Sequence, residues 1–122
     1  MNKAKSLGKS GEETVARYLS GFGFEILARN YVVKGGEIDI IASFEDIITF
    51  VEVKTRSEMS DSNGFDFIDK NKQNRIIKTA ENYIYTNNIT LQPRFDVAVV
   101  IYAEKTHINY IKNAFGVQEG QF

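Results

Sequence analysis

Apolar and polar positions alternate along Gly35 to Lys54, GGEIDIIASFEDIITFVEVK, and the chain is organised around this stretch. A period of two predicts two short strands joined by a turn at 44–46. In the first strand Glu37, Asp39, Ile41 and Ser43 share one face, with Ile38, Ile40 and Ala42 on the other. In the second, Ile48, Phe50, Glu52 and Lys54 lie together, opposite Ile47, Thr49, Val51 and Val53. Antiparallel pairing across the turn sets Asp39 near Val51 or Glu52, and small changes of register keep the two carboxylates as cross-strand neighbours.

On either side of the hairpin the period changes. Ser10 to Gly21 reads as a helix, with Ser10 as N-cap, Glu12 and Glu13 in the first turn, and Gly21 and Gly23 as the stop. Its inward stripe is Val15, Ala16 and Leu19, headed by Glu12, whereas Glu13 is placed for an exposed i, i+4 pair with Arg17. Phe24 to Lys34 is rich in strand formers and is turned into the hairpin by Gly35-Gly36. The polar stretch from Thr55 to Phe67 has no periodicity and reads as a loop leaving directly from Lys54. A second helix from Asp69 to about Asn88 follows, with Ile76, Ile77, Ala80, Tyr83 and Ile84 inward. Arg94 to Tyr102 is a nearly continuous apolar run suited to a central strand, and Thr106 to Ile111 pairs as one more. Asp96, early in the apolar run, reads as an edge carboxylate, with a supporting place behind the acidic site as the alternative. His107 falls at a sheet edge and reads as a surface residue.

The elements fit a single domain over 1–122, with 1–9 and 114–122 expected as flexible tails. Hydrophobic content of 43% and charged content of 25% over 122 residues fit an ordinary globular protein rather than a disordered one. No apolar run approaches a membrane span and residues 1–11 carry no apolar leader, so the cytoplasm is the expected compartment and no membrane partner is expected. Cysteine is absent and His107 is the single histidine. That excludes thiolate and multi-histidine metal sites, so a metal here would be hard and oxygen-bound.

Asp39 and Glu52 sit in otherwise apolar strands, where a carboxylate is costly to bury without a compensating partner. A divalent cation bound between them supplies one, and Lys54, one pleat further, is placed to hold a water or the charge developing on a phosphate. A formal net charge of −1 argues against indiscriminate coating of nucleic acid. The cations are nevertheless clustered: Lys3, Lys5 and Lys9; Lys54 and Arg56; Lys70, Lys72, Arg75 and Lys78 on the second helix. Lys9, Arg56, Lys70, Lys72, Gln73 and Arg75 are the candidate nucleic-acid contacts, and solvated helix faces are the plain alternative for each patch. Lys72 and Gln73 extend the second helix's inward stripe where an apolar residue would be expected. They reach toward the acids or a phosphate, or else simply snorkel.

Asp39 followed at hairpin spacing by Glu52-Val53-Lys54 resembles the D…ExK motif of the PD-(D/E)XK nuclease superfamily. With the upstream Gly11-Glu12, the GEIDII and FVEVKTR segments, Lys72-Gln73 and RFDV in the same order, the chain is similar to the YraN family, a bacterial group related to Holliday-junction resolvases, from Gly8 to about Asn113. The resemblance implies an α/β, restriction-endonuclease-like αβββαβ core with a mixed sheet flanked by helices. It implies Mg²⁺ or Mn²⁺ held by Asp39, Glu52 and the Val53 backbone carbonyl, with Lys54 orienting water or stabilising the phosphate. Glu12 then completes the acidic cluster, and Glu37 is an outer ligand through water. Val15 stands where the family carries alanine, a change harmless to packing. The implied activity is metal-dependent hydrolysis of branched, nicked or single-stranded DNA in repair or recombination, by a homodimer if junctions are resolved. The alternatives are a DNA-binding accessory protein that needs a protein partner to cut, and a domain whose acids bind metal only for folding.

Overall fold

The computed structural model describes residues 3–57 and 68–116, with the side chains of 3–8 left aside. Helix α1 (Lys3–Gly21) is followed by strands β1 (Glu25–Val33), β2 (Gly36–Phe44) and β3 (Ile47–Ser57), helix α2 (Lys70–Thr86), and strands β4 (Gln92–Tyr102) and β5 (His107–Phe115). The strands form one mixed sheet in the order β1-β2-β3-β4-β5. Its first three strands are an antiparallel meander, β4 runs parallel to β3, and β5 is antiparallel to β4. The parallel step needs a crossover, which α2 provides. This is the α/β arrangement expected, with the αβββαβ order intact.

Each helix covers one face. Val15, Ala16 and Leu19 of α1 pack on Ile40, Ala42, Val51, Ala98 and Val100. Ile76, Ile77 and Ala80 of α2 pack on Ile41, Ile48, Phe50, Phe95, Val97 and Val99. β4, buried from Phe95 to Val100, lies between two neighbours and under both helices, which explains its unbroken apolar run.

Three local differences have physical causes. Helix α1 begins at Lys3, so Ser10 is an interior residue whose carbonyl accepts from Thr14 Oγ1 at 2.9 Å, not a cap. The preceding Lys, Ala and Leu are good helix formers that give the helix no reason to start late, and residues 3–9, expected as a tail, are helical. At the other end β5 runs on to Phe115, so 114 and 115 belong to the sheet. Finally, Ile38 does not keep company with Ile40 and Ala42: it joins the α2-side core while they join the α1 side. The strict alternation fails because the β1–β2 pairing is interrupted there. Between the pairs Arg29↔Ile40 and Tyr31↔Ile38, Asn30 takes a left-handed φ of 52° opposite Asp39.

Two glycines let the helices approach the strands that carry the acids. A Cβ on Gly11 would sit 2.6 Å from Thr55 Oγ1 of β3. One on Gly36 would collide with Thr79 Oγ1 of α2 and lie 3.2 Å from the Arg75 carbonyl. Both helices are thus held against the sheet close to Glu12, Asp39 and Glu52.

Candidate active site

The β2–β3 turn is Glu45-Asp46, and pairing runs from Phe44↔Ile47 to Ile40↔Val51, where it stops. Continued by one step it would set Asp39 opposite Glu52, as the hairpin arithmetic predicts. The strands part instead, and the Asp39 carboxylate fills the opening: its Oδ2 accepts from the Val53 N–H at 2.8 Å. β3 keeps its other neighbour, with Glu52 beside Val97 and Lys54 beside Val99. The fork therefore has one firm wall and one open side.

Glu52, Val53, Lys54, Thr55 and Arg56 line a hollow of about 410 Å³ closed from the α2 side by Ile68, Asp69 and Lys72. Asp39 stands at its edge through Val53. Withdrawal from water, then the Glu52 charge, then smaller contributions from Glu12 and Glu37, raise the Asp39 pKa from 3.8 to about 7, against the opposing effect of the Val53 N–H. Four carboxylates thus share one region, and Asp39, largely withdrawn from water, lacks enough positive charge to ionise easily.

That donor set fits a hard divalent ion: it is all oxygen and over-supplied with negative charge. The side chains are not gathered around one point, however. Among the described residues no three acidic or histidine side chains are close enough to hold an ion together. Glu52 Oε1 instead meets Lys72 Nζ at 2.6 Å.

The remaining sequence candidates divide. Arg56 is half-buried on the hollow's wall, its NH1 donating to the Thr55 carbonyl at 2.9 Å. Lys9, Lys70 and Arg75 are exposed. Arg75, Lys72 and Glu37 line a neighbouring hollow of about 340 Å³ with Val32, Gly36 and Ile76. Gln73 is turned inward: its Nε2 donates to the Ile68 carbonyl at 2.8 Å and braces the entry to α2, whose N-cap is Asp69. Glu13 pairs with Arg17 as expected and also with Arg29 of β1 at 2.6 Å. His107 is exposed. The loop expected over Thr55 to Phe67 begins later, because β3 runs to Ser57, and 58–67 lie outside the described residues.

Asp96 is neither an edge carboxylate nor a support for the acids. It is fully buried and accepts from Thr49 Oγ1 at 2.7 Å, Tyr110 OH at 2.6 Å, the Asn113 N–H at 2.9 Å and the Arg94 guanidinium. Burial first, then the Asp96 charge, push the Tyr110 pKa up, so its hydroxyl keeps the donated proton. Arg94, two positions earlier on the same face of the strand, was the legible signal of a buried pair. A further hollow of about 380 Å³, lined by aromatic side chains including Tyr18, Phe22, Phe24 and Phe44, opens at the far end by Glu45 and Asp46 and contains none of the fork residues.

A helix-flanked αβββαβ core, whose β2–β3 fork carries Asp39 and then Glu52-Val53-Lys54, defines a protein of the PD-(D/E)XK superfamily. Within it, the chain belongs to the YraN family: residues 11–100 match the family described as "Uncharacterised protein family UPF0102". Relatives called UPF0102 protein include one from Caldanaerobacter subterraneus, 42% identical over 91% of this chain and 95% of its own length. Another, from Clostridioides difficile, is 46% identical over 91% of this chain and 97% of its own. No helix among the described residues is long and apolar enough to cross a membrane.

The raised Asp39 pKa has a measurable consequence. The folded protein keeps this proton longer than the unfolded chain, so without metal the contribution of Asp39 to stability is full below about pH 4, falls as pH rises toward 7, and stays low above that. Asp39→Asn in EDTA should remove this group's part of the slope and stabilise the protein by about 2–3 kcal/mol at pH 8. Urea unfolding at pH 4 and pH 8 measures this, and parallel pH profiles for the two proteins would refute it.

Proposed function

We propose that this protein is a metal-dependent endodeoxyribonuclease that hydrolyses phosphodiester bonds in branched, nicked or single-stranded DNA, working in the cytoplasm in repair or recombination. The observation that carries the reading is the β2–β3 fork. It sets Asp39 beside Val53, with Glu52 and Lys54 on one open hollow, and leaves Asp39 short of positive charge.

Asp39, Glu52 and the Val53 backbone carbonyl would hold Mg²⁺ or Mn²⁺, with Glu12 and Glu37 contributing through water. Bound there, the ion supplies Lewis acidity toward the phosphate and a water of lowered pKa. The chain's own residues do the rest. Lys54 holds the attacking water or a phosphate oxygen, which matters most as negative charge builds in the transition state. Asp39 and Glu52 carry the charge that draws the ion in, and Glu12 adds to that field from α1. Lys9, Arg56, Lys70 and Arg75 contact phosphates along the strand, giving position without sequence preference. Resolution of a junction would take two copies related by a twofold axis.

A second reading is favoured by one observation: Glu52 is engaged by Lys72 rather than turned toward Asp39. On that reading the chain binds DNA as a repair accessory and needs a protein partner before it cuts. Labelled junction, flap and single-stranded DNAs with Mn²⁺ separate the two. The nuclease reading expects cutting that EDTA and Asp39→Ala abolish. Binding without any metal-dependent product, in wild type and variant alike, would leave the accessory role.

A further inference from the structure

The Glu52 side chain is 11% exposed and that of its partner Lys72 is 44% exposed. The carboxylate is therefore enclosed, and the ammonium reaches it from outside on a long, flexible stem. Lys72 lines both the hollow containing Glu52, Lys54 and Arg56 and the adjoining one containing Glu37 and Arg75. Its long stem therefore borders an acid in each, Glu52 in the first and Glu37 in the second. Glu52 and Asp39 repel each other, and a carboxylate so enclosed needs a cation nearby.

We infer that Lys72 is a placeholder for the divalent ion: it sits on Glu52 while the site lacks metal and yields that carboxylate, turning toward Glu37, when metal binds. The inference rests on the metal-site part of the proposed function and adds a positioning residue to it. An ion pair with one half-exposed member is weak and costs a long side chain its rotamer freedom, so it is exchangeable. A divalent ion carries twice the charge and has no rotamers to lose. Lys72 and the ion thus compete for Glu52, and the lysine prevents the acids from standing uncompensated in between.

The test is Mn²⁺ titration of the full chain without DNA, read by the loss of the free-ion paramagnetic resonance signal. Lys72→Met should bind Mn²⁺ about 3- to 5-fold more tightly than wild type, the upper end of the gain expected from removing a competing ion pair of this exposure. Lys78→Met, which removes an exposed cation of the same helix that lines neither hollow, should change affinity less than threefold. A gain below threefold in Lys72→Met, a weakening, or an equal gain in Lys78→Met overturns the inference. Should Lys72→Met fold poorly, acetylation of wild-type Lys72 by acetic anhydride gives the same answer: Mg²⁺ should raise its rate several-fold, and an unchanged or lower rate overturns the idea. If Mn²⁺ binds and is tightened by Lys72→Met but no DNA is cut, the placeholder stands and the nuclease reading fails. If neither protein binds Mn²⁺, both the placeholder and the metal site fail.

Discussion

Asp96→Ala should cost about 3–5 kcal/mol of folding stability, because it strips the counter-charge from a mostly buried arginine and leaves several donors without an acceptor. Arg94, whose side chain is 19% exposed, is held by Asp96 through Nε and NH2, while Thr49, Tyr110 and the Asn113 N–H converge on the same carboxylate. The arrangement also fixes strand pairing. β4 and β5 pair at Val97↔Ile111 and again at Phe95↔Phe115, so four residues of β5 span two of β4, and Asn113, at a φ of 54°, aims its N–H from that bulge. Without the carboxylate the bulge has no acceptor and β5 loses its anchor. A fall in melting temperature of more than about 10 °C is expected for a chain of this size. Asp96→Asn keeps an acceptor but loses the charge, so it should fall between alanine and wild type. A loss below 1 kcal/mol for alanine would mean that water or relaxed packing replaces the network. Because the hydrogen bonds to the Asp96 carboxylate come from Thr49, Arg94, Tyr110 and Asn113 and not from Asp39, Glu52 or Lys54, whichever variant stays folded should keep any metal affinity the wild type has.

Much of this architecture was legible because its signals are local. The period of two across GEIDII and TFVEV set both strands, and a short turn between them brought Asp39 up to Glu52-Val53, although the strands part before the two carboxylates pair. The inward stripes of α1 and α2 followed from helical spacing, and the unbroken run FDVAVVIY required a strand covered on both faces. What stayed hidden depends on partners distant in sequence. The change of face between Ile38 and Ile40 coincides with the left-handed backbone of Asn30 in another strand. The burial of Asp96 depends on Tyr110 and Asn113 of β5, which composition cannot place. Lys72 was recognisable as a polar intrusion on an apolar stripe, yet its choice of Glu52 over solvent depends on how closely α2 approaches the sheet. The glycines at 11 and 36 permit that kind of approach, since the cost of a Cβ there is visible only once Thr55 and Thr79 are in place.

If the protein is the nuclease proposed, Lys54→Met is expected to reduce Mn²⁺-dependent cleavage about 10²- to 10³-fold, the loss typical of removing one charge that stabilises a transition state. Lys54 is half-buried and shares its hollow with Glu52, one pleat along β3 from it. A cation in that position repels a divalent ion in the ground state, so its removal should leave Mn²⁺ affinity unchanged or tighten it slightly. Its benefit appears as the phosphate gains negative charge, which makes the loss fall on kcat with little change in KM. Asp39→Ala must behave differently, since the carboxylate that draws in the ion is gone: metal affinity and cleavage should fall together. The contrast between the two variants separates a residue that stabilises developing charge from one that builds the metal site. Single-turnover cleavage of whichever DNA the wild type cuts, with Mn²⁺ affinity measured separately, reads both quantities. Cleavage by Lys54→Met within tenfold of wild type would remove Lys54 from the chemistry. Weakened Mn²⁺ binding in the same variant would instead make its ammonium part of the scaffold that keeps the fork open.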